Sequence, residues 1–377
     1  MTDEQAVALI RAVDKQSLKV RSKALDMSFN ELANMYQDEE LVIDPDYQRL
    51  FRWSEGKQSR FLESLLLEMP IPPIFVIERE DGKYELIDGL QRISSYLHFL
   101  GVHKERPGRS LILSDCDILT ELNGKSWTQL PTALQIKIKR YFVRVEVIKK
   151  ESDPKLRYYV FKRLNTGGEI LSEQEIRNCS IRLLDSDFMT FVNEMSRNED
   201  YQSCMVNLSE EALEKRQDQE YVLRFLALKN WRQHFVHEVG DFMTQYMEAV
   251  ADPEVADVTF DFKIERITFE RTFRVLNEIL GQHIFSRYVK YGGKEPKPVG
   301  QLRPNYFEAF SLGVQRDLEL IDVTDQEQLD RIRKQFVDLR FDDDFVKVTG
   351  AGVNYPRPLN ARISLVEKAL ERALHGS

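Results

Sequence analysis

Hydrophobic and polar residues follow a two-residue period in several short runs of the first half of the chain. Residues 75–77 and 84–87 are β-prone runs on either side of Asp81-Gly82, a pair that is typical of a hairpin turn. Between residues 141 and 148, valine alternates with more polar residues, which predicts a strand with one buried face. We therefore expect a β-sheet in this half of the chain.

Other stretches follow the period of a helix. Ser28 and Glu31 form a capping-box pattern that opens a short helix, and residues 57–69 and 90–100 carry apolar helical stripes. After about residue 173 the strand signals nearly vanish. Further helices are predicted at about 173–196, 209–236, 239–250, 263–285, 304–321, 325–339 and 360–374.

This order of elements predicts an α+β protein, in which a small mixed-sheet domain is followed by a mainly α-helical domain. Residues 1–27, helix-prone to about Lys23, are expected to form an N-terminal helical arm. The sheet domain is expected at residues 28–172 and the helical domain at residues 173–377.

The net charge of −9 argues against a generally cationic surface for nucleic acid, so any DNA contact requires a local basic patch. Between Lys137 and Arg163 the chain has ten basic residues against three acidic ones. A solvated face of a helix and a strand explains this run equally well. The candidate nucleic-acid contacts are Lys137, Lys139, Arg140, Lys149 and Lys150.

The cysteines and the N-terminal residues indicate the cellular compartment in which the protein is expected. Cys116, Cys179 and Cys204 lack paired spacing, which fits a reducing cytoplasm and excludes a zinc ribbon. The N-terminus lacks the pattern of a signal peptide, and no apolar run approaches the length of a membrane span. We expect a cytoplasmic protein that does not bind a membrane.

The most informative stretch is a strand, residues 84–87, that runs into a turn carrying Asp88, Gly89, Gln91 and Arg92. The missing side chain of Gly89 would let a ligand approach the backbone, and the following helix N-terminus is an anion site. Asp88 could hold a metal or orient a water, and Arg92 could bind a phosphate with two hydrogen bonds. An aspartate N-cap with a surface arginine is the alternative.

Two other stretches carry residue types that suit an anionic ligand. Residues 45–53 contain two arginines, an amide and three aromatic residues before a predicted helix. Residues 161–169 place Asn and Thr next to a Gly-Gly turn, where backbone N–H groups can face an oxyanion. The candidate nucleotide-binding residues in them are Tyr47, Gln48, Arg49, Arg52 and Trp53, and Arg163, Asn165, Thr166 and Gly167.

Four ordered motifs carry a resemblance: Pro-x-Tyr-Gln-Arg-x-Phe-x-Trp from Pro45, Pro-Ile-Pro-Pro-Ile from Pro70, Ile-Asp-Gly-x-Gln-Arg from Ile87, and Phe-x-x-Leu-Asn-Thr-Gly-Gly from Phe161. Over roughly residues 28–180 the chain resembles the N-terminal domain of the GmrSD-type restriction enzymes. That family is similar in fold to the ParB and sulfiredoxin group, in which an equivalent Gly-x-x-Arg turn holds a nucleotide phosphate.

The resemblance implies that this domain binds and hydrolyses a nucleoside triphosphate, with an Asp-Gly-Gln-Gln-Arg motif essential, in bacterial defence against modified phage DNA. Here Leu90 stands where the family prefers the first Gln, which bears on hydrolysis more than on binding. The six histidines show no His-Asn-His nuclease constellation, so the sequence does not support DNA cleavage by this chain.

Three functions follow from these residues. The first is a nucleoside-triphosphate-binding enzyme or switch, in which Asp88 places Mg²⁺ or water, Arg92, Arg49 and the backbone near Gly89 hold phosphates, and an aromatic ring stacks on the base. The second is a DNA-binding adaptor that recruits a separate nuclease partner. The third is a metal-dependent endonuclease that uses the motif acids. The sequence leaves open whether the protein is a homo-oligomer.

Overall fold

The structure is a computed structural model. It describes residues 2–17, 21–43, 51, 53–104, 106–152, 160, 174, 177, 185–251, 258–290, 295–350 and 352–375. The chain divides into two compact units, an N-terminal unit, Met1–Leu171, and a C-terminal unit, Ser172–Ser377. The α+β prediction is confirmed, because a mixed sheet in the first part is followed by a mainly helical second part. Within the described residues, no helix has both the length and the apolar character needed to cross a membrane.

The N-terminal unit places helices around one sheet. Its described strands are β1 (Ser22–Ser28), β2 (Leu41–Val42), β3 (Ile74–Glu78), β4 (Tyr84–Asp88) and β5 (Phe142–Ile148). Its described α-helices are α1 (Asp3–Ser17), α2 (Phe29–Gln37), α3 (Glu55–Leu66), α4 (Leu90–Leu100) and α5 (Thr132–Lys139). Ser28 caps α2 by accepting a hydrogen bond from the Glu31 backbone N–H, as the capping pattern predicts.

The five strands form one sheet in the order β1-β5-β3-β4-β2. Strands β1 and β5 are antiparallel, β5 and β3 parallel, β3 and β4 antiparallel, and β4 and β2 parallel. In β5, Val143, Val145 and Val147 are buried, whereas Phe142 and Arg144 are exposed, as the alternation predicts. One face of the sheet therefore packs on the core and the other carries polar side chains.

The sequence prediction was wrong at the first strand. The predicted helix to about Lys23 ends at Ser17 instead, and Ser22–Ser28 pairs with β5 along its whole length. This strand contains no β-branched residue, so its own composition gives little strand signal. Pairing with a distant segment, rather than local preference, makes it a strand.

The segment between α4 and α5 has no regular strand but is firmly attached to α3. The buried carboxylate of Glu63 accepts hydrogen bonds from the backbone N–H groups of Ile118, at 3.0 Å, and Leu119, at 2.5 Å. One turn earlier on the helix, the Ser59 hydroxyl accepts the Ser114 N–H at 2.9 Å. Two side chains of one helix thus satisfy backbone donors of a segment whose described residues lack strand pairing of their own.

The C-terminal unit is built mainly from helices. Those described are α6 (Ser186–Met195), α7 (Glu199–Met205), α8 (Glu210–Glu214), α9 (Gln217–Trp231), α10 (Val239–Ala251), α11 (Phe262–Leu280), α12 (Pro304–Gly313), α13 (Gln326–Leu339), α14 (Asp343–Val348) and α15 (Pro356–His375). Two short strands, β6 (Arg287–Val289) and β7 (Lys297–Val299), form a hairpin that the sequence analysis missed.

Two predicted helices are divided by residues whose backbone is not helical. Asp185 is extended and caps α6, so the helix predicted at 173–196 restarts at Ser186. Arg216 has φ 60°, and it separates α8 from α9 within the predicted helix 209–236. Both breaks depend on single-residue backbone conformations, which hydrophobic periodicity does not report.

Charged residues lie inside the C-terminal unit as well as on its surface. Glu308, on α12, is 1% exposed and forms ion pairs with Arg362, on α15, and with Arg224, on α9. Arg340 is also buried, and its guanidinium donates to the backbone carbonyls of Ser286, Phe336 and Ile284. Each of these buried charges has a charged or carbonyl partner, as the cost of burying a charge requires, although the Nε atoms of Arg224 and Arg362 have none within the described residues.

We expect Glu63→Ala to lower the free energy of unfolding of the N-terminal unit by about 2–4 kcal/mol, because two backbone donors lose a charged acceptor. Urea unfolding followed by fluorescence tests this in a Trp231→Phe background, where Trp53 and Trp127 report on the N-terminal unit. The matched control is the exposed Glu121→Ala, which should change little. Equal effects of the two substitutions would contradict the anchoring role of Glu63.

Candidate functional site

A β-bulge shapes the end of strand β4. Phe75 pairs with Asp88 but Val76 pairs with Leu86, so β4 carries one extra residue, Ile87, at this point. Leu86 and Ile87 are consecutive and both buried, whereas Asp88 is partly exposed. The bulge therefore gives the core two neighbouring apolar side chains and presents the Asp88 carboxylate opposite Phe75, away from the core.

Gly89 connects β4 to α4 in a conformation that favours glycine. Its φ is 108°, and an added Cβ would lie 2.9 Å from Cγ1 of Ile74 and 3.3 Å from Cγ2. The missing side chain thus allows Ile74 of the neighbouring strand to pack against the backbone. This packing by itself requires glycine here, and the approach of a ligand to the Gly89 backbone stays a prediction.

Arg92 is held by hydrogen bonds at both terminal nitrogens. Its Nη2 donates to Oδ2 of Asp88 at 2.7 Å, and its Nη1 donates to the Pro72 carbonyl at 2.7 Å. The Arg92 side chain is 11% exposed and that of Asp88 is 34% exposed. Strand, turn and helix therefore bring the predicted acid and base into a direct ion pair, with the guanidinium fixed in orientation.

Gln91 joins the same turn to the segment before α3. Its side chain is 9% exposed, and Oε1 accepts the Trp53 backbone N–H at 3.1 Å. The Trp53 carbonyl accepts from Nε2 of Gln58 at 2.7 Å, and Oε1 of Gln58 lies 2.9 Å from Nδ1 of His98. Two glutamines therefore hold the Trp53 backbone from both sides.

Gln58 and His98 were not singled out in the sequence analysis. A signal existed for Gln58, because it lies three, four and seven residues before Phe61, Leu62 and Leu65 of the apolar stripe of α3. A polar residue on such a stripe is either misplaced or hydrogen-bonded in the interior. His98 has no comparable signal in the sequence.

The Trp53 ring, a candidate for base stacking, already has neighbours. It packs edge-to-face on Phe61, with centroids 5.8 Å apart, and Nζ of Lys57 lies 5.1 Å from the ring centroid. The ring is partly buried. A nucleotide base could stack on it only where Lys57 moves aside or on the part that remains exposed.

The other predicted nucleotide-binding residues lie outside the residues that the structure describes. Their roles stay predictions. They are Tyr47, Gln48, Arg49, Arg52, Arg163, Asn165, Thr166 and Gly167.

The turn offers Mg²⁺ one carboxylate. Oδ2 of Asp88 accepts from Arg92, and Oδ1 remains for a cation or a water. Among the described residues, no group of three or more His, Cys, Asp or Glu side chains could hold a metal ion. Asp88 could therefore bind a magnesium ion whose other ligands are phosphate and water, because Mg²⁺ is often held by one or two carboxylates and substrate phosphates.

Carboxylates oppose several of the predicted nucleic-acid contacts. Lys149 lies 3.0 Å from Glu78, whose hydrogen bond raises the pKa of Lys149, and Lys150 lies 3.8 Å from Glu80. Lys137 pairs with Glu68 at 3.3 Å. Nζ of Lys139 lies 5.7 Å from the Trp127 ring centroid, and Arg140 has no acidic partner within the described residues. Fewer of these basic side chains are therefore available to contact DNA than the count of ten basic residues in the sequence suggests.

His103 is a buried imidazole with unusual surroundings. It is 2% exposed and stacks on Phe51, with centroids 5.4 Å apart, and neither ring nitrogen has a hydrogen-bond partner among the described residues. Burial and the positive charges of Arg106 and His98 lower the pKa of His103 to about 4. The polar run around it in the sequence gives no sign of this burial.

The N-terminal unit is thus an α+β unit in which Asp88 and Arg92 form an ion pair at the turn between strand β4 and helix α4. Residues 29–182 match the family described as "GmrSD restriction endonuclease, N-terminal domain". The match agrees with the resemblance that the four motifs carry over this part of the chain, and the restriction enzymes that this family describes act on DNA. No match was found among curated proteins or among solved structures, so the likeness to ParB and sulfiredoxin stays a prediction.

We expect Gly89→Ala to destabilise the N-terminal unit by about 2–4 kcal/mol, because the new Cβ has an unfavourable φ and also meets Ile74. Gly82→Ala is the matched control, since Gly82 has φ 80° in the same hairpin but open space around it. It should cost only about 1 kcal/mol. Urea unfolding followed by tryptophan fluorescence compares the two variants. Equal losses of unfolding free energy would rule out the Ile74 contact as the cause.

We expect His103→Phe to reduce the acid sensitivity of the N-terminal unit. In the unfolded chain His103 takes up a proton near pH 6.5, but in the folded protein only near pH 4, so stability falls as the pH drops between these values. The contribution is on the order of 3 kcal/mol. Urea unfolding at several pH values between about 7 and 4.5 measures it. Parallel pH curves for wild type and variant would contradict the assignment.

Proposed function

We propose that the N-terminal unit binds a nucleoside triphosphate at the turn from Asp88 to Arg92 and that this binding serves a restriction-type defence function on DNA. The observation that carries the proposal is the Asp88–Arg92 ion pair at the start of α4. It fixes a guanidinium near the start of α4, in a turn that agrees at all positions but Leu90 with the Asp-Gly-Gln-Gln-Arg motif that the resemblance implies.

The start of α4 supplies the backbone donors. Gly89, at the N-cap, has no side chain with which to satisfy the first N–H groups of the helix. The start of α3 differs, because Ser54 caps it and the Asp115 carboxylate lies where a Gly56 side chain would be. An anion is therefore better accommodated at α4, where no side chain caps the helix and the one adjacent carboxylate, Asp88, is paired with Arg92.

Arg92 supplies the positive charge. Its hydrogen bonds to Asp88 and Pro72 use two of the five guanidinium N–H donors, so the remaining donors can contact a phosphate. Because both bonds hold the side chain in one orientation, little conformational entropy is lost when it meets the ligand. Asp88 thereby acts first as a positioning residue for Arg92.

Asp88 has a second role if the nucleotide arrives with Mg²⁺. Its Oδ1 would contribute one ligand, and the ion would neutralise phosphate charge. Leu90 is 4% exposed and packs in the core, so it cannot orient a water as a glutamine at this position would. We therefore propose binding as the primary activity and expect any hydrolysis to be slow.

Calorimetric titration of ATP, GTP and CTP with Mg²⁺ into the full chain tests the proposal, with released phosphate assayed in the same samples. We expect one of them to bind, and we expect Arg92→Gln to weaken its binding by about 10- to 100-fold, because a charge-assisted contact is lost. Asp88→Asn should weaken the Mg²⁺ dependence and reduce any phosphate release.

Arg79→Gln is the matched control, since Arg79 is an exposed arginine of the same hairpin and, among the described residues, its one ion pair is with the exposed Asp81. Its affinity should equal that of wild type. If no triphosphate binds, or if Arg79→Gln and Arg92→Gln behave alike, the nucleotide site is wrong and the DNA-binding adaptor becomes the better explanation.

A further inference from the structure

A groove lies where helix α5 meets strand β5, on the surface of the N-terminal unit. It has a volume of about 430 Å³, and its walls include Ile136, Lys137, Arg140, Tyr141 and Phe142. The Tyr141 hydroxyl donates a hydrogen bond to the Met69 carbonyl at 2.5 Å, which fixes one wall of the groove. No residue of this groove belongs to the turn at Asp88.

Phe142 is the most exposed part of this groove. Its side chain is 65% exposed, and within the described part of the chain it stacks on no other ring. The alternation of β5 explains why, because Val143 and Val145 face the core and the preceding position must face outward. A phenylalanine at an outward strand position presents a bare aromatic face to solvent.

Positive charge lies beside this ring. Arg140 is exposed and has no acidic partner among the described residues, whereas Lys137 is paired with Glu68 at 3.3 Å. The charged side chains of the groove are these three, so it carries one net positive charge in a chain whose net charge is −9. An aromatic face beside an unpaired guanidinium suits a ligand with both a flat base and a phosphate.

We propose that this groove binds single-stranded nucleic acid, with the Phe142 ring stacking on one unpaired base and Arg140 contacting the adjacent phosphate. A duplex is a poorer ligand, because its bases are already stacked on each other and their faces are closed to Phe142. High affinity for a duplex would also require many phosphate contacts, which the few unpaired cations of the groove do not supply.

The few cations give the proposal a quantitative signature. Each neutralised phosphate of a single strand contributes about −0.7 to the slope of log affinity against log salt. With one or two contacts, from Arg140 and Lys137, we expect a slope of about −0.7 to −1.5. A nonspecific basic surface that used the whole run of ten cations would give a slope of about −7.

Fluorescence anisotropy of the full chain with a labelled oligothymidine of roughly 12 nucleotides tests the proposal, with a duplex of the same length in parallel. We expect the single strand to bind more tightly than the duplex. Phe142→Ala should weaken binding at least about fivefold, since stacking is the main contact, whereas Phe142→Tyr should retain it. Arg140→Gln should weaken binding and make the salt slope shallower.

Ile112→Ala is the control for removing an exposed apolar side chain, because Ile112 is 57% exposed in the same unit, and Arg79→Gln is the control for charge. Both should bind like wild type. Circular dichroism should show all variants folded, since Phe142 contributes little to the core. Equal affinity of Phe142→Ala and wild type would overturn the proposal, as would preference for the duplex or absence of binding. A change only in self-association would instead assign the groove to a protein partner.

Discussion

The contact between Ile74 and the backbone of Gly89 is the constraint on which the candidate site depends. Ile74 begins β3, and Gly89 follows β4, so their close approach fixes these two strands and the start of α4 relative to one another. The bulge at Ile87 sets Asp88 outward at the same place. Arg92 can reach Asp88 only because helix α4 leaves the turn in this direction. The backbone requirement is therefore sufficient to explain glycine at this position of the motif.

The two units bury polar groups in different ways. In the N-terminal unit, single side chains such as Glu63, Gln58 and Gln91 satisfy backbone groups of segments that lack regular structure. In the C-terminal unit, charged side chains such as Glu308 and Arg362 satisfy each other between helices. The first arrangement positions loops around a site, whereas the second fixes helix against helix.

The sequence predicted what depends on local patterns. The hairpin of β3 and β4, the alternation of β5 and the helix after Gly89 follow from periodicity and turn chemistry. The direct pairing of Asp88 with Arg92 was not predicted, because the sequence assigned both side chains to a ligand. Strand β1 and the attachment of residues 114–119 to α3 could not be predicted, because they depend on partners far away in the chain. The burial of His103 belongs to the same class, since its neighbours Phe51 and Tyr36 come from other elements.

Strand β1 lies outside the residues that match the family, which begin at residue 29. Its seven residues nevertheless pair with the whole of β5. A fragment cut at the family boundary would therefore expose the backbone donors and acceptors of β5 along one edge, next to valines that belong in the core. Such an edge recruits other strands, so the fragment would tend to aggregate although every motif residue described here is present. In this chain the folded sheet domain therefore begins before the first residue that matches the family.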